Sequence, residues 1–96
     1  LKSDKLELSS NTWKRELKDD IEIITFNEDR TFSFTTPDKK LKKYDTCTKY
    51  KYNERKNTIK LTCDKKVEDM KLIKNTEKEL VLKIGNKKYT YTQAEK

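Results

Sequence analysis

The stretch YDTCTKYKYNERKNTIKLTC, Tyr44–Cys63, contains both cysteines of the chain. On either side of the polar run Asn53–Asn57, tyrosine, threonine, isoleucine and leucine alternate with lysine, the period-two pattern of two short strands around a turn. If the tyrosines and aliphatics share one face, Tyr52 falls opposite Ile59 and Tyr50 opposite Leu61. That register sets Thr48, not Cys47, opposite Cys63. A symmetric pairing of Cys47 with Cys63 would instead set Lys49 against Leu61. A bulge or strand end near Thr46–Thr48 reconciles the two, turning Cys47 towards its partner while the tyrosines stay inside.

The cysteines themselves have two readings. In an exported chain they form a disulfide closing a loop of about 16 residues, which the chain-entropy model values at roughly 3 kcal/mol. In a cytosolic chain they are buried thiols. Their position on adjacent strands, with the turn centred between them, favours the bond. Two cysteines without histidine are too few for a structural zinc site, and the spacing is not C-x-x-C.

Working outward, the same alternation recurs along the chain. The 96 residues make one domain with a single small core. Hydrophobic residues are 31% and charged residues 43%, a balance that leans towards disorder. Yet the apolar residues fall in alternating runs, Ile21–Phe26, Leu80–Ile84 and Lys88–Tyr91, as a sheet with one wet face requires. Asn11–Leu17 is the first strand, with Trp13, Arg15 and Leu17 on one face. Ile21–Phe26 and Thr31–Thr36 form a hairpin that sets Phe26 opposite Phe32 and Ile24 opposite Phe34. Pro37 ends that strand, and the lysines of PDKKLKK, Pro37–Lys43, are read as holding a loop in water.

After Cys63 come a loop at Asp64–Val67 and a strand at Glu68–Lys74. The last hairpin turns at Gly85-Asn86, with Ile84 opposite Lys87, Leu82 opposite Tyr89 and Leu80 opposite Tyr91. Carried across the remaining neighbours, parity sets Met70 against Ile84 and Leu72 against Leu82. It also sets Leu61 against Met70, Ile59 against Leu72, Phe34 against Tyr50 and Phe32 against Tyr52. All of these fall on one continuous face, whereas a one-residue slip would turn a strand over. The expectation is all-β: a small eight-stranded antiparallel up-and-down barrel spanning 11–92, which covers its apolar face and removes its edges. Two packed sheets or a half-open barrel would also cover that face. Residues 1–10, with Asp4 and Glu7 as a capping pair before Leu6 and Leu8, are a lead-in, and 93–96 a tail.

The motifs Asn11-Thr12-Trp13, Ile24–Phe32 (ITFNEDRTF), Tyr50-Lys51-Tyr52, Asn57–Leu61 and Glu79–Leu82 resemble, in order and spacing, the small bacterial lipocalin-like (calycin-type) domains of secreted proteins and lipoproteins. Asn11 and Arg30 stand where that family usually has glycine. The resemblance implies an antiparallel barrel with Trp13 closing one end, and a small apolar ligand or a protein partner. It also implies an extracellular or cell-surface setting, with a signal peptide or lipid anchor upstream of Leu1. An engineered expression boundary is the other reading of a chain that does not begin with Met.

For function, what is missing excludes more than what is present includes. There is no histidine, which removes the commonest general base, the Ser-His and Cys-His pairs and the imidazole metal ligand. The acidic pairs Asp19-Asp20 and Glu28-Asp29 are turn residues. No catalytic residue, metal site or cofactor is expected. There is no run of about 18 apolar residues to cross a membrane, and the expected state is a monomer. The candidate ligand lining, or else simply the core filling, is Trp13, Phe26, Phe32, Phe34, Tyr50, Tyr52, Tyr89 and Tyr91. The net charge of +7 is carried by 21 lysines and three arginines. It makes Lys39, Lys40, Lys42 and Lys43, beside Lys49, Lys51 and Tyr44, a candidate basic patch for an acidic partner such as nucleic acid, anionic lipid or acidic protein. Without exposed stacking aromatics, no specific nucleic-acid recognition is expected. A secreted inhibitor presenting the Pro37–Lys43 loop is a further reading.

Overall fold

Eight antiparallel strands follow one another in the computed structural model, which describes residues 11–94; the expected lead-in and its capping pair lie outside the described residues. The strands are β1 (Asn11–Leu17), β2 (Asp20–Phe26), β3 (Phe32–Thr35), β4 (Cys47–Asn53), β5 (Thr58–Cys63), β6 (Lys66–Asn75), β7 (Glu79–Ile84) and β8 (Lys87–Gln93). Their order in the sheet is β3-β2-β1-β8-β7-β6-β5-β4. This is an up-and-down meander whose first and last strands pair, through Trp13 with Gln93 and Lys14 with Thr92. The sheet reaches past residue 92, because the Ala94 N–H still donates to the Thr12 carbonyl at 2.9 Å.

The barrel is nearly closed. Between β3 and β4 there is one bridge, Thr31 with Lys49, and the Tyr50 N–H donates to the Arg30 carbonyl. Elsewhere the ladders are longer, with register shifts in β4–β5 between Cys47 and Lys49 and in β6–β7 between Leu72 and Lys74. Phe26 faces Phe32 and Ile24 faces Phe34, while Leu82 faces Tyr89 and Leu80 faces Tyr91. In the second pair only Gly85 of the turn residues takes a positive φ, +65°, the pattern of a hairpin turn with glycine first. Tyr50 faces Leu61 and Tyr52 faces Ile59, and the register shifts between Cys47 and Lys49 so that Cys47 meets Cys63. The expected bulge is therefore present, and the two cysteines are joined.

Two pairings differ from expectation. Ile59 faces Met70 and Leu61 faces Glu68, two residues away from the anticipated partners. The loop expected at Asp64–Val67 is a tight two-residue turn, so β6 begins at Lys66 and carries exposed Val67 in the strand. Phe34 and Phe32 do not meet Tyr50 and Tyr52. Phe34 packs on Tyr44, with ring centroids 5.5 Å apart, and Tyr50 packs edge-on against Phe26 at 5.0 Å.

The cause of the second difference is the segment read as a solvated loop. Lys39–Thr46 is a 3-10 helix, capped at its start by Asp38, whose side chain accepts from the Lys40 N–H. In a 3-10 helix residues three apart eclipse, so Leu41 and Tyr44 both face inward and are buried, leaving the four lysines outside. The helix spans the gap that the β3–β4 ladder leaves, and Tyr44 belongs to the core rather than to a basic patch.

Candidate functional site

The inner face of β1 and β2 follows from parity. Ile24 and Phe26 point in, and therefore so does Glu22; Trp13 points in, and therefore so does Arg15. Register sets Arg15 directly opposite Glu22. Glu22 is fully buried, and its carboxylate is held from several sides. Arg15 donates Nη2 to Oε1 at 2.8 Å and Nε to Oε2 at 3.3 Å. The Thr36 hydroxyl donates to Oε1 at 2.6 Å, and the Tyr91 hydroxyl donates to Oε2. Arg15 Nη2 also reaches Asp38 at 3.0 Å, and the guanidinium lies 4.8 Å from the centre of the Tyr89 ring.

A buried carboxylate persists when paired and fully hydrogen-bonded, and Glu22 meets that condition. Burial alone would lower the Arg15 pKa, but its bonds to Glu22 and Asp38 outweigh that and hold it above the usual range. Tyr91 is pushed up by burial and by the neighbouring Glu22 carboxylate. Asp38 is held low, first by the Lys40 N–H and then by Arg15. Burial, with the charges of Glu68 and Asp69, pushes Tyr44 up to about 12. With both oxygens occupied and its side chain fully buried, Glu22 ties β1, β2, β8 and the Thr36–Asp38 corner together. Its signal was in the sequence: it shares parity with Ile24 and Phe26 and faces an inward arginine.

The eight candidate lining residues come together as one cluster. Trp13, Phe26, Phe32, Phe34, Tyr50, Tyr89 and Tyr91 are buried, and Tyr52 is partly buried against them. They pack on each other and on Ile24, Ile59, Leu61, Met70, Leu80 and Leu82. Tyr50 donates its hydroxyl to the Asn27 carbonyl at 3.1 Å, and Tyr52 donates to Asn57 Oδ1 at 3.2 Å. The indole N–H of Trp13, by contrast, is buried without an acceptor among the described residues.

On the outside, Lys39 and Lys40 are exposed. Lys42 and Lys43 are drawn into ion pairs with Asp45 at 3.3 Å and Glu68 at 3.2 Å. The four lysines share one surface, but two of them are neutralised locally. Two open clefts flank the β4–β5 hairpin tip. One, of about 370 Å³, is lined by Lys56, Asn57, Lys71, Leu72, Ile73, Lys83 and Gly85. The other, of about 470 Å³, is lined by Lys51, Tyr52, Asn53, Glu54, Arg55 and Lys60. Sequence reading did not anticipate these clefts, because the hairpin tip and the β6–β8 wall meet only once the strands are staggered around the barrel. No helix among the described residues is long and apolar enough to cross a membrane. In comparison with known proteins, the chain matches no family model, no curated protein and no solved structure.

Proposed function

We propose that this chain is a non-enzymatic, exported, lipocalin-like binding domain that engages a macromolecular partner through its outer wall. The observation that carries this reading is the state of the interior. The aromatic residues that could line a ligand seat are packed against each other, and the two clefts described above are open to solvent beside the β4–β5 hairpin tip. The absence of histidine and the full occupation of Glu22 support a non-catalytic role, since the acidic turn residues are exposed and Asp29 is engaged by the Thr31 N–H and hydroxyl in its own turn. The Cys47–Cys63 bond supports an oxidising compartment.

One observation favours a second reading, in which a small ligand is taken inside: the indole N–H of Trp13, which has no acceptor among the described residues and which an acceptor atom of a ligand would satisfy. Intrinsic fluorescence separates the two, because Trp13 is the chain's one tryptophan. Titration with a medium-chain fatty acid and with the apolar dye anilinonaphthalene sulfonate is expected to leave its emission unchanged. A saturable shift or quench would overturn the outer-wall reading in favour of an interior ligand.

A further inference from the structure

The outer wall carries an arrangement that does nothing for the fold. Lys71 of β6 stands directly opposite Lys83 of β7, and Lys83 directly opposite Lys88 of β8. Their chain neighbours Leu72, Leu82 and Tyr89 take the inner face, so the three lysines form one row outside. Strands lie about 4.8 Å apart, so the three stems rise within roughly 10 Å of each other. Like charges directly opposite are destabilising, and here two such contacts adjoin.

No carboxylate relieves them. Lys14, Lys42, Lys43, Lys66 and Lys74 each have an acidic partner, whereas among the described residues none pairs with Lys71, Lys83, Lys88 or Lys56. Lys56 comes to the same place from the β4–β5 turn, where the Lys71 ammonium donates to its carbonyl at 3.4 Å. Lys56, Lys71 and Lys83 line a cleft without an acidic residue, and half-exposed Ile73 lies at the break in the β6–β7 register. The same hairpin tip leads into the second cleft, where Lys51 stands opposite Lys60 beside Arg55.

We propose, resting on the outer-wall reading above, that the Lys71–Lys83–Lys88 row and its cleft bind a linear anionic polysaccharide. Several features select that chemistry among polyanions. The cations are nearly all lysine, point charges without the guanidinium fork that selects single phosphates or carboxylates. They therefore suit charges strung at intervals along a chain. Among the described residues no aromatic ring is exposed on the row itself, since Tyr89 is buried. Partly buried Tyr52 in the second cleft is tied by its hydroxyl to Asn57, so bases have little to stack on. Lys71 and Lys83 of the row line a cleft beside the hairpin tip, which a flat lipid surface would not enter. Half-exposed Ile73 in the cleft and the side-chain N–H groups of Asn53 and Asn57 on the tip offer apolar contact and hydrogen bonds of the kind a sugar ring uses.

Heparin serves as the probe. Its affinity for the intact disulfide-bonded chain is measured by calorimetry across a salt series, beside single-stranded DNA and phosphatidylserine vesicles at matched charge concentration. The triple variant K71Q/K83Q/K88Q is compared with K39Q/K40Q/K65Q, which removes the same charge from elsewhere. The row variant is expected to lose roughly tenfold or more in heparin affinity and to show a shallower salt dependence, with the control within about twofold of the parent. Thermal melts report folding, and the row variant is expected to melt no lower than the parent because it relieves like-charge contacts. Equal losses in both variants, or no heparin binding, would overturn the proposal. DNA or vesicles bound more tightly through the same row would overturn the polysaccharide and leave the outer-wall reading standing. A chain that binds no polyanion but takes up the apolar dye would remove both.

Discussion

Arg30 shows how much one residue's backbone can reveal. It takes φ +73° in the β2–β3 turn, where its N–H donates to the Asn27 carbonyl and its own carbonyl receives the Tyr50 N–H. A residue with a Cβ pays about 1–2 kcal/mol in that region, and glycine is the usual occupant. R30G is therefore expected to stabilise the chain by about 0.5–1 kcal/mol, after the extra freedom of glycine in the unfolded state is subtracted, and to raise Tm by a few degrees in a thermal melt. Glu22 is the opposite case, a residue whose side chain is over-determined. E22Q keeps the shape but removes the charge that faces Arg15. The expected loss is about 2 kcal/mol by urea unfolding, less than for a fully isolated buried pair because Asp38 still holds Arg15.

The element that departs most from its sequence pattern is the 3-10 helix Lys39–Thr46. Four lysines in five positions suggested a segment held in water, and the lysines are indeed outside. The overlooked signal was Leu41 and Tyr44, three apart, which a 3-10 turn aligns on one face. The helix ends at Cys47, whose N–H donates to the Tyr44 carbonyl, and the Asp64 N–H donates to the Thr46 carbonyl at 3.2 Å. The disulfide thus fastens the end of the helix and the start of β4 to the β5–β6 turn. Reduction, or the C47S/C63S pair, is expected to cost about 3 kcal/mol. Hydrogen exchange should speed up first across residues 41–50, next to the open β3–β4 seam, before it does so in β7 and β8. Uniform acceleration over the whole sheet would show instead that the bond acts only on the unfolded chain.

At the scale of the whole molecule, two buried phenols make stability a function of alkaline pH. Tyr44 rises from its ordinary 10.0 to about 12, and Tyr91 is raised as well, so between those values the folded chain keeps protons that the unfolded chain has lost. Linkage then gives the sign: stability is intact below pH about 10 and falls as pH rises through the folded values. The urea midpoint is expected to hold up to pH 10 and to decline above it, with Y44F and Y91F each flattening the decline. A midpoint unchanged between pH 10 and 12 would contradict the burial of both hydroxyls.

How much of this was legible depends on the range of the interaction responsible. Hairpins whose turn was identified could be read to the residue: Gly85-Asn86 sets Leu82 against Tyr89, and Asn53–Asn57 sets Tyr52 against Ile59, whereas the two-residue turn at Asp64-Lys65 was read as a longer loop. The parity conflict at Cys47 even located the bulge, because covalent and packing demands there met within one hairpin. Across β5–β6 parity was right and the offset wrong by two residues, since alternation identifies a face but not the position along it. The Lys71–Lys83–Lys88 row was implicit in the register that sets Leu72 against Leu82 and Leu82 against Tyr89, but its cleft was not visible, because the β4–β5 tip reaches that wall only through barrel stagger. By itself the sequence determined eight alternating strands, one apolar face and the aromatic set that fills it, since side-chain period and turn chemistry are local. Only the tertiary structure decided that Glu22 would be enclosed by Arg15, Thr36 and Tyr91. The same holds for the short helix that stands in for a ladder between β3 and β4 and for the cleft that Lys56 shares with Lys71 and Lys83. Each of these depends on which distant residues share a neighbourhood, and only closing the sheet settles that.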